Sequence, residues 1–312
     1  LVIILVFSFN LTFAQFRPKA IHWTDDGNSY LTIVQGNIVK NDVLTGAQTT
    51  LVTAEALTPA GQPKPLSFNI YSFSPDFKRL LIFTNTARVW RYNTRGDYWI
   101  YDANQNKLWQ LGKGLPSQSL MYAKISPDGS KAAYVSEHNI YVEDLISQKI
   151  SQLTTTGTRK FINGTFDWVY EEEFGCRDGF RWSPDSKKIA FWEVDATKIR
   201  DYYMMNTTDS VYSRIIPVEY PKVGWPPSPV RIGVITVNDK NIKWMAVPGD
   251  PQEHYIPRME WADNSNEVVL QQLNRKQNES KLFFCNVSNG QSKNFYTETD
   301  KAFIDIKSRW NN

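Results

Sequence analysis

The sequence predicts an all-β fold, a β-propeller of four-stranded blades, on three observations. A short phrase, an apolar residue followed by a tight turn and a β-rich run, recurs along the 312 residues. A second phrase, an alternating strand closed by an acidic turn, follows the first. Aromatic residues make up 14% of the chain, with 11 Trp and 15 Tyr. Such side chains suit the pleated, half-buried surface of a sheet.

The first phrase appears as His22-Trp23-Thr24-Asp25-Asp26-Gly27, Phe73-Ser74-Pro75-Asp76 and Ile125-Ser126-Pro127-Asp128-Gly129. It returns as Trp182-Ser183-Pro184-Asp185-Ser186 and, degraded, as Trp261-Ala262-Asp263-Asn264. Proline presets φ for the turn and Asp or Gly completes it, so each Ser-Pro-Asp reads as turn chemistry and not as a catalytic pair. The runs that follow are Tyr30 to Val34, Leu80 to Thr84, Lys131 to Ser136, Lys188 to Trp192 and Glu267 to Leu270. The second phrase is Asn37 to Asp42, Asp97 to Asp102 and Asn139 to Asp144, each followed by a polar segment and another strand. The result is hairpin, turn, hairpin, repeating about every 50 residues, which is the period of a propeller blade. One four-stranded sheet cannot bury its own faces, so blades must pack on one another. A β-sandwich with accidental turn similarity is the competing architecture.

The length suits one large domain or two ordinary ones. A formal net charge of +3, from 35 basic and 32 acidic residues, is too balanced to imply nucleic acid or an anionic membrane as partner. The apolar run over residues 1–13 is shorter than the roughly 20 residues that span a bilayer. It ends in Thr12-Phe13-Ala14, small residues at the positions a signal peptidase reads. Residues 1–14 therefore read as a signal peptide lacking its start, and the protein as secreted or periplasmic, with an uncleaved anchor as the alternative. Residues 15–312 read as a partial N-terminal propeller of about five to six blades. His22, His138 and His254 show no metal-ligand spacing, and no cofactor is expected. Cys176 and Cys285 leave open whether they pair. The sequons Asn163-Gly164-Thr165 and Asn206-Thr207-Thr208 leave glycosylation open.

Two stretches break the repeat. Near residues 167–174 lies Asp167-Trp168-Val169-Tyr170-Glu171-Glu172-Glu173-Phe174. Asp167 suits an N-cap, and carboxylates in a first turn suit the helix dipole. In a strand Glu172 and Glu173 would face opposite ways; on a helical turn they can converge. The alternative is a solvated acidic turn. The second stretch, near 195–218, holds Tyr202-Tyr203-Met204-Met205 and is followed by the Pro-rich Tyr220 to Pro227. It reads as an arm that touches another subunit or domain, or as a loop folded back on its own blade. No Gly-x-Ser-x-Gly elbow occurs in the chain, so no catalytic residue is assigned within it.

The acidic phrase, with the Trp182-Ser183-Pro184 blade start after it, resembles the propeller of the dipeptidyl peptidase IV family, in the prolyl oligopeptidase class. Val89-Trp90-Arg91-Tyr92 and Val218-Glu219-Tyr220-Pro221-Lys222 carry the likeness further. It covers the chain from about residue 20 onward, and the acidic phrase is its most specific part. The resemblance implies an eight-bladed propeller over a C-terminal α/β-hydrolase domain with a Ser-Asp-His triad, absent from this chain. It implies release of Xaa-Pro or Xaa-Ala dipeptides from free N-termini, with the propeller gating access. Glu172 and Glu173 would hold the substrate ammonium, Arg91 would reach a backbone carbonyl, and Glu171 would be a neighbour. The 195–218 arm would pair two copies. Arg88 and Arg95 flank Arg91, so a plain surface cluster is its alternative reading. Phe174 to Gly179 differs from some relatives, which touches subsite details. The competing functions are a non-catalytic envelope scaffold, or the propeller of an endo-acting oligopeptidase or acylpeptidase.

Overall fold

A computed structural model describes residues 21–24 and 26–306. Residues 1–14, read above as a signal peptide, lie outside them. The described residues form two compact units, one up to Ile70 and one from Tyr71.

The first unit holds an antiparallel four-stranded sheet of His22–Trp23, Ser29–Val34, Asn37–Asp42 and Gln48–Val52, paired in chain order. The Asp42 carboxylate accepts the Leu44 and Thr45 N–H groups at 3.1 and 2.7 Å, which closes the acidic turn.

The second unit repeats that plan, its first strand starting at the boundary residue Ile70. Ile70–Phe73, Arg79–Val89, Tyr92–Asp102 and Lys107–Gln110 form one antiparallel blade, and Leu120–Ile125, Lys131–Ser136, Asn139–Asp144 and Ile150–Gln152 the next. A short pairing of Arg95 with Met121 and Gly96 with Leu120 joins them into one sheet. Phe180–Trp182, Lys188–Asp195, Val230–Thr236 and Ile242–Trp244 follow, with Phe161–Asn163 paired beside them. The last four-stranded sheet is His254–Trp261, Glu267–Asn274, Glu279–Asn286 and Ser292–Thr299. The fold is all-β, built of propeller blades.

The repeated phrases do local work. In Ser74, Ser126 and Ser183 the hydroxyl donates to the Asp two residues on at 2.6 Å. Each hydroxyl also accepts the backbone N–H at the start of the next strand, from Arg79, Lys131 or Lys188. The Ser74 hydrogen bond is the first cause that holds the Asp76 carboxyl down to about 2. These serines have no nucleophile geometry; their hydroxyls are spent on the turn. The Trp of one blade start also reaches back to the blade before. Trp182 Nε1 donates to Lys124 O and Trp261 Nε1 to Arg181 O, both at 3.2 Å.

The core lies between blades. Val135, Ile140 and Val142 pack with Phe180, Ile189 and Phe191. Trp192, Val194 and Ile232 pack with Ile256, Met259 and Leu270. Each sheet face thus finds the apolar partner it lacks alone. Near residues 195–218, Asp201–Asn206 and Arg214–Glu219 form a two-stranded arm pairing Tyr203 with Pro217 and Met205 with Ile215. Tyr203, Met205, Tyr212 and Ile215 are exposed on it.

One hairpin is longer than its sequence pattern. The runs at Leu80 to Thr84 and Asp97 to Asp102 continue as strands to Val89 and from Tyr92. Register shifts after Thr84, with Asn85 at φ 46°, break the alternation that marks a strand in sequence. The extension carries Trp90 and Arg91 to its tip, where Val89 pairs with Tyr92.

Candidate functional site

The acidic phrase forms a helix, Trp168–Phe174, held at both ends. Asp167 is the N-cap: its Oδ1 accepts Tyr170 N–H at 3.0 Å and its Oδ2 accepts the Ser228 hydroxyl at 2.6 Å. Burial pushes the Asp167 carboxyl above its ordinary range, against these hydrogen bonds. Gly175 closes the C-terminus at φ 65° and ψ 17°, a left-handed position that glycine takes without strain. Gly179, just beyond, lies against backbone: a Cβ there would meet the Gly164 carbonyl carbon at 2.6 Å.

Helical periodicity separates the side chains. Tyr170 and Phe174, one turn apart, share the buried face. Tyr170 stacks on Phe166 with centroids 5.7 Å apart, and Phe174 lies 5.0 Å from Tyr255. The Tyr170 hydroxyl accepts Ile256 N–H at 3.2 Å, tying the helix to the strand His254–Trp261. At about 100° per residue, Glu172 points opposite that face, with Glu171 and Glu173 on its two flanks.

The three glutamates have three different surroundings. Glu171 is buried, and burial is the first cause raising its carboxyl, opposed by Arg177, whose Nε donates to Oε1 at 3.3 Å. Glu172 is half-buried and is gripped by Arg91: Nε donates to Oε2 at 2.8 Å and Nη2 to Oε1 at 2.5 Å. That two-pronged fork holds the Glu172 carboxyl below its ordinary 4.5, with the Arg91 hydrogen bonds as first cause. The same fork raises the Arg91 guanidinium. Glu173 is exposed, and among the described residues its side chain has no hydrogen-bond or ion-pair partner.

The structure thus brings Arg91 and Glu172 together and leaves Glu173 beside them, open. The Arg91–Glu172 contact is not read from the sequence, because it links residues 81 apart through a hairpin extension that the pattern conceals. Arg177 is also missed as a partner. It stands in the stretch after Glu173, and its guanidinium lies 4.1 Å over the Tyr92 ring centroid. Cys176 and Cys285 are both free and buried, and burial pushes each thiol up to about 12. Among the described residues no group of His, Cys, Asp and Glu side chains could hold a metal ion.

A fixed carboxylate and a second, unpartnered one stand next to each other on a capped helix. Arg91 spends two of its five N–H donors on Glu172, so others are left for an acceptor.

Residues 74–311 match the family described as "Dipeptidyl peptidase IV (DPP IV) N-terminal region". Rattus norvegicus inactive dipeptidyl peptidase 10 is 27% identical over 298 residues, covering 94% of this chain and 36% of that protein. Dipeptidyl aminopeptidase B of Saccharomyces cerevisiae is 29% identical over 271 residues, 81% of this chain and 32% of its own. Homo sapiens prolyl endopeptidase FAP is 32% identical over 267 residues, 83% of this chain and 34% of its own. The crystal structure of Porphyromonas gingivalis dipeptidyl peptidase 4 superimposes with a TM-score of 0.84 at 29% identity, over 93% of this chain and 41% of that one. The chain spans about a third of the length of the curated relatives it matches.

Proposed function

The chain belongs to the dipeptidyl peptidase IV family, through its N-terminal region, and from that membership we propose that it forms the substrate-measuring end of a serine dipeptidyl-peptidase. In this reading Glu172 and Glu173 receive the α-ammonium of a peptide, and Arg91 donates to the carbonyl of its first residue. The peptide bond after the second residue is then cut by a hydrolase domain in the same protein, releasing Xaa-Pro or Xaa-Ala.

The observation that carries the reading is the Arg91–Glu172 fork with Glu173 open beside it. An ammonium has three donors and no acceptor, so two carboxylates and a carbonyl or water satisfy it. Glu172 already has the Arg91 guanidinium, whereas Glu173 has no cation of its own among the described residues, so an incoming ammonium would supply the charge that Glu173 lacks. Holding the amine also sets the register: two residues at about 3.3–3.6 Å each put the scissile bond roughly 7 Å away. An enzyme that counts two residues from the end needs that ruler.

The proposal extends to a secreted or periplasmic protein, on the strength of residues 1–14. It extends also to pairing of two copies through the arm, on the strength of its exposed Tyr203, Met205, Tyr212 and Ile215. A second reading, a non-catalytic propeller that binds a partner at the same place, is favoured by the likeness to a relative named as inactive.

Product analysis tests the choice. The full-length protein is expected to release an intact dipeptide from a peptide with Pro second and a free amine, and to leave the N-acetylated peptide whole. Cleavage of the acetylated peptide would overturn the amine-clamp reading, and hydrolysis of neither would support the non-catalytic one.

A further inference from the structure

Glu171 is the member of the acidic run that the amine clamp does not use, yet it is the most buried of the three, at 6% exposure. Its partner Arg177 is well covered, with 19% of the side chain exposed. Arg177 Nε donates to Glu171 Oε1 at 3.3 Å, and Nη1 donates to Gly175 O, the helix C-cap, at 3.5 Å. The flat guanidinium lies 4.1 Å over the ring of Tyr92. Tyr92 follows Arg91 directly at the hairpin tip. One side chain therefore touches both elements of the clamp: the helix that bears Glu172 and the hairpin that bears Arg91.

We infer that Arg177 is a positioning residue, a brace between helix and hairpin that holds the Arg91–Glu172 fork in register. The inference rests on the reading of that fork as part of the amine clamp. Arg91 alone is poorly suited to hold itself in place: 68% of its side chain is exposed, and a long exposed side chain loses rotamer freedom when fixed. A two-pronged guanidinium–carboxylate contact also tolerates little displacement. The ring stack fixes the hairpin tip laterally, and the Glu171 and Gly175 contacts fix the helix end. The brace settles the local charges as well. Arg177 answers Glu171, which leaves Arg91 for Glu172 and leaves Glu173 for an incoming amine.

The test is a double-mutant cycle in the full-length protein, with a chromogenic dipeptidyl substrate carrying a free amine. Arg177→Met removes the brace but strands Glu171, so Tyr92→Leu serves as the second variant. Tyr92 is half-exposed, and replacing it removes the stack while keeping Arg177 as the partner of Glu171. Each is expected to raise KM about tenfold, the scale of one charge-assisted contact, with kcat little changed. In a Glu172→Gln background neither should raise KM further, because the fork they position is already broken. A normal KM in Tyr92→Leu, or effects that multiply in the Glu172→Gln background, would overturn the brace while leaving the clamp intact. A normal KM in Glu172→Gln itself would overturn the clamp and the brace with it.

Discussion

Replacing Asp167 by Ala should loosen the helix that carries the acidic run, and the structure gives the scale. Asp167 is 4% exposed and makes two hydrogen bonds. Loss of a side-chain N-cap costs about 1 kcal/mol. The Ser228 hydroxyl, 2% exposed, then loses its acceptor, at a cost of about 1–3 kcal/mol. The sum, about 2–4 kcal/mol, is an upper range, because the buried carboxylate that is removed was itself costly to desolvate. Asp167→Asn keeps an acceptor for Tyr170 N–H and should cost less. The pH dependence has a definite sign. Burial raises the folded carboxyl above its unfolded value of 3.8. The stabilisation linked to its protonated form is full below 3.8 and is lost as pH rises through the higher folded value. The stability of wild type relative to Asp167→Asn should therefore fall as pH rises across that window. Urea unfolding followed by Trp fluorescence, run at several pH values, measures both effects. A loss under about 0.5 kcal/mol in Asp167→Ala, or a difference that grows with pH, would refute the reasoning.

Two further outcomes follow from the site and the core. Arg91→Ala should raise KM roughly tenfold while leaving the urea midpoint unchanged, since the side chain is largely exposed; an unchanged KM argues for the plain surface cluster. Alkylation mapped by peptide mass should find Cys176 and Cys285 slow to react in the native protein, because the thiolate is the reactive form and burial disfavours it. Both should react in urea without reductant, and protection of both under those conditions would mean that they are paired.

What the sequence displays is what local chemistry encodes. Pro and Asp write the Ser-Pro-Asp turns, and alternation writes the strands between them, so the blades are legible from the repeat. The short link between Arg95, Gly96, Met121 and Leu120 is not, because so brief a pairing leaves no period. The hairpin extension is hidden for a related reason. Its register shifts between Thr84 and Arg88 interrupt the alternation, so Arg91 looks like a residue before a strand and not like a tip. The site follows the same division. Asp167 as a cap is a local signal, and it sits three residues before the N–H it accepts. The contacts of Glu172 with Arg91 and of Arg177 with Tyr92 depend on how blades and helix pack, and nothing in the spacing reports them. The state of the cysteines is likewise a matter of packing: both lie in one apolar core and are free there.

The central claim, that Glu172 and Glu173 grip a peptide's free amine, has a direct measurement. It is the ratio of kcat/KM for a free-amine dipeptidyl substrate to that for its N-acetyl analogue, in wild type and in Glu172→Gln/Glu173→Gln. The account predicts a large ratio in wild type that collapses towards unity in the double variant, through loss on the free-amine substrate alone. A ratio that survives loss of both carboxylates would contradict it.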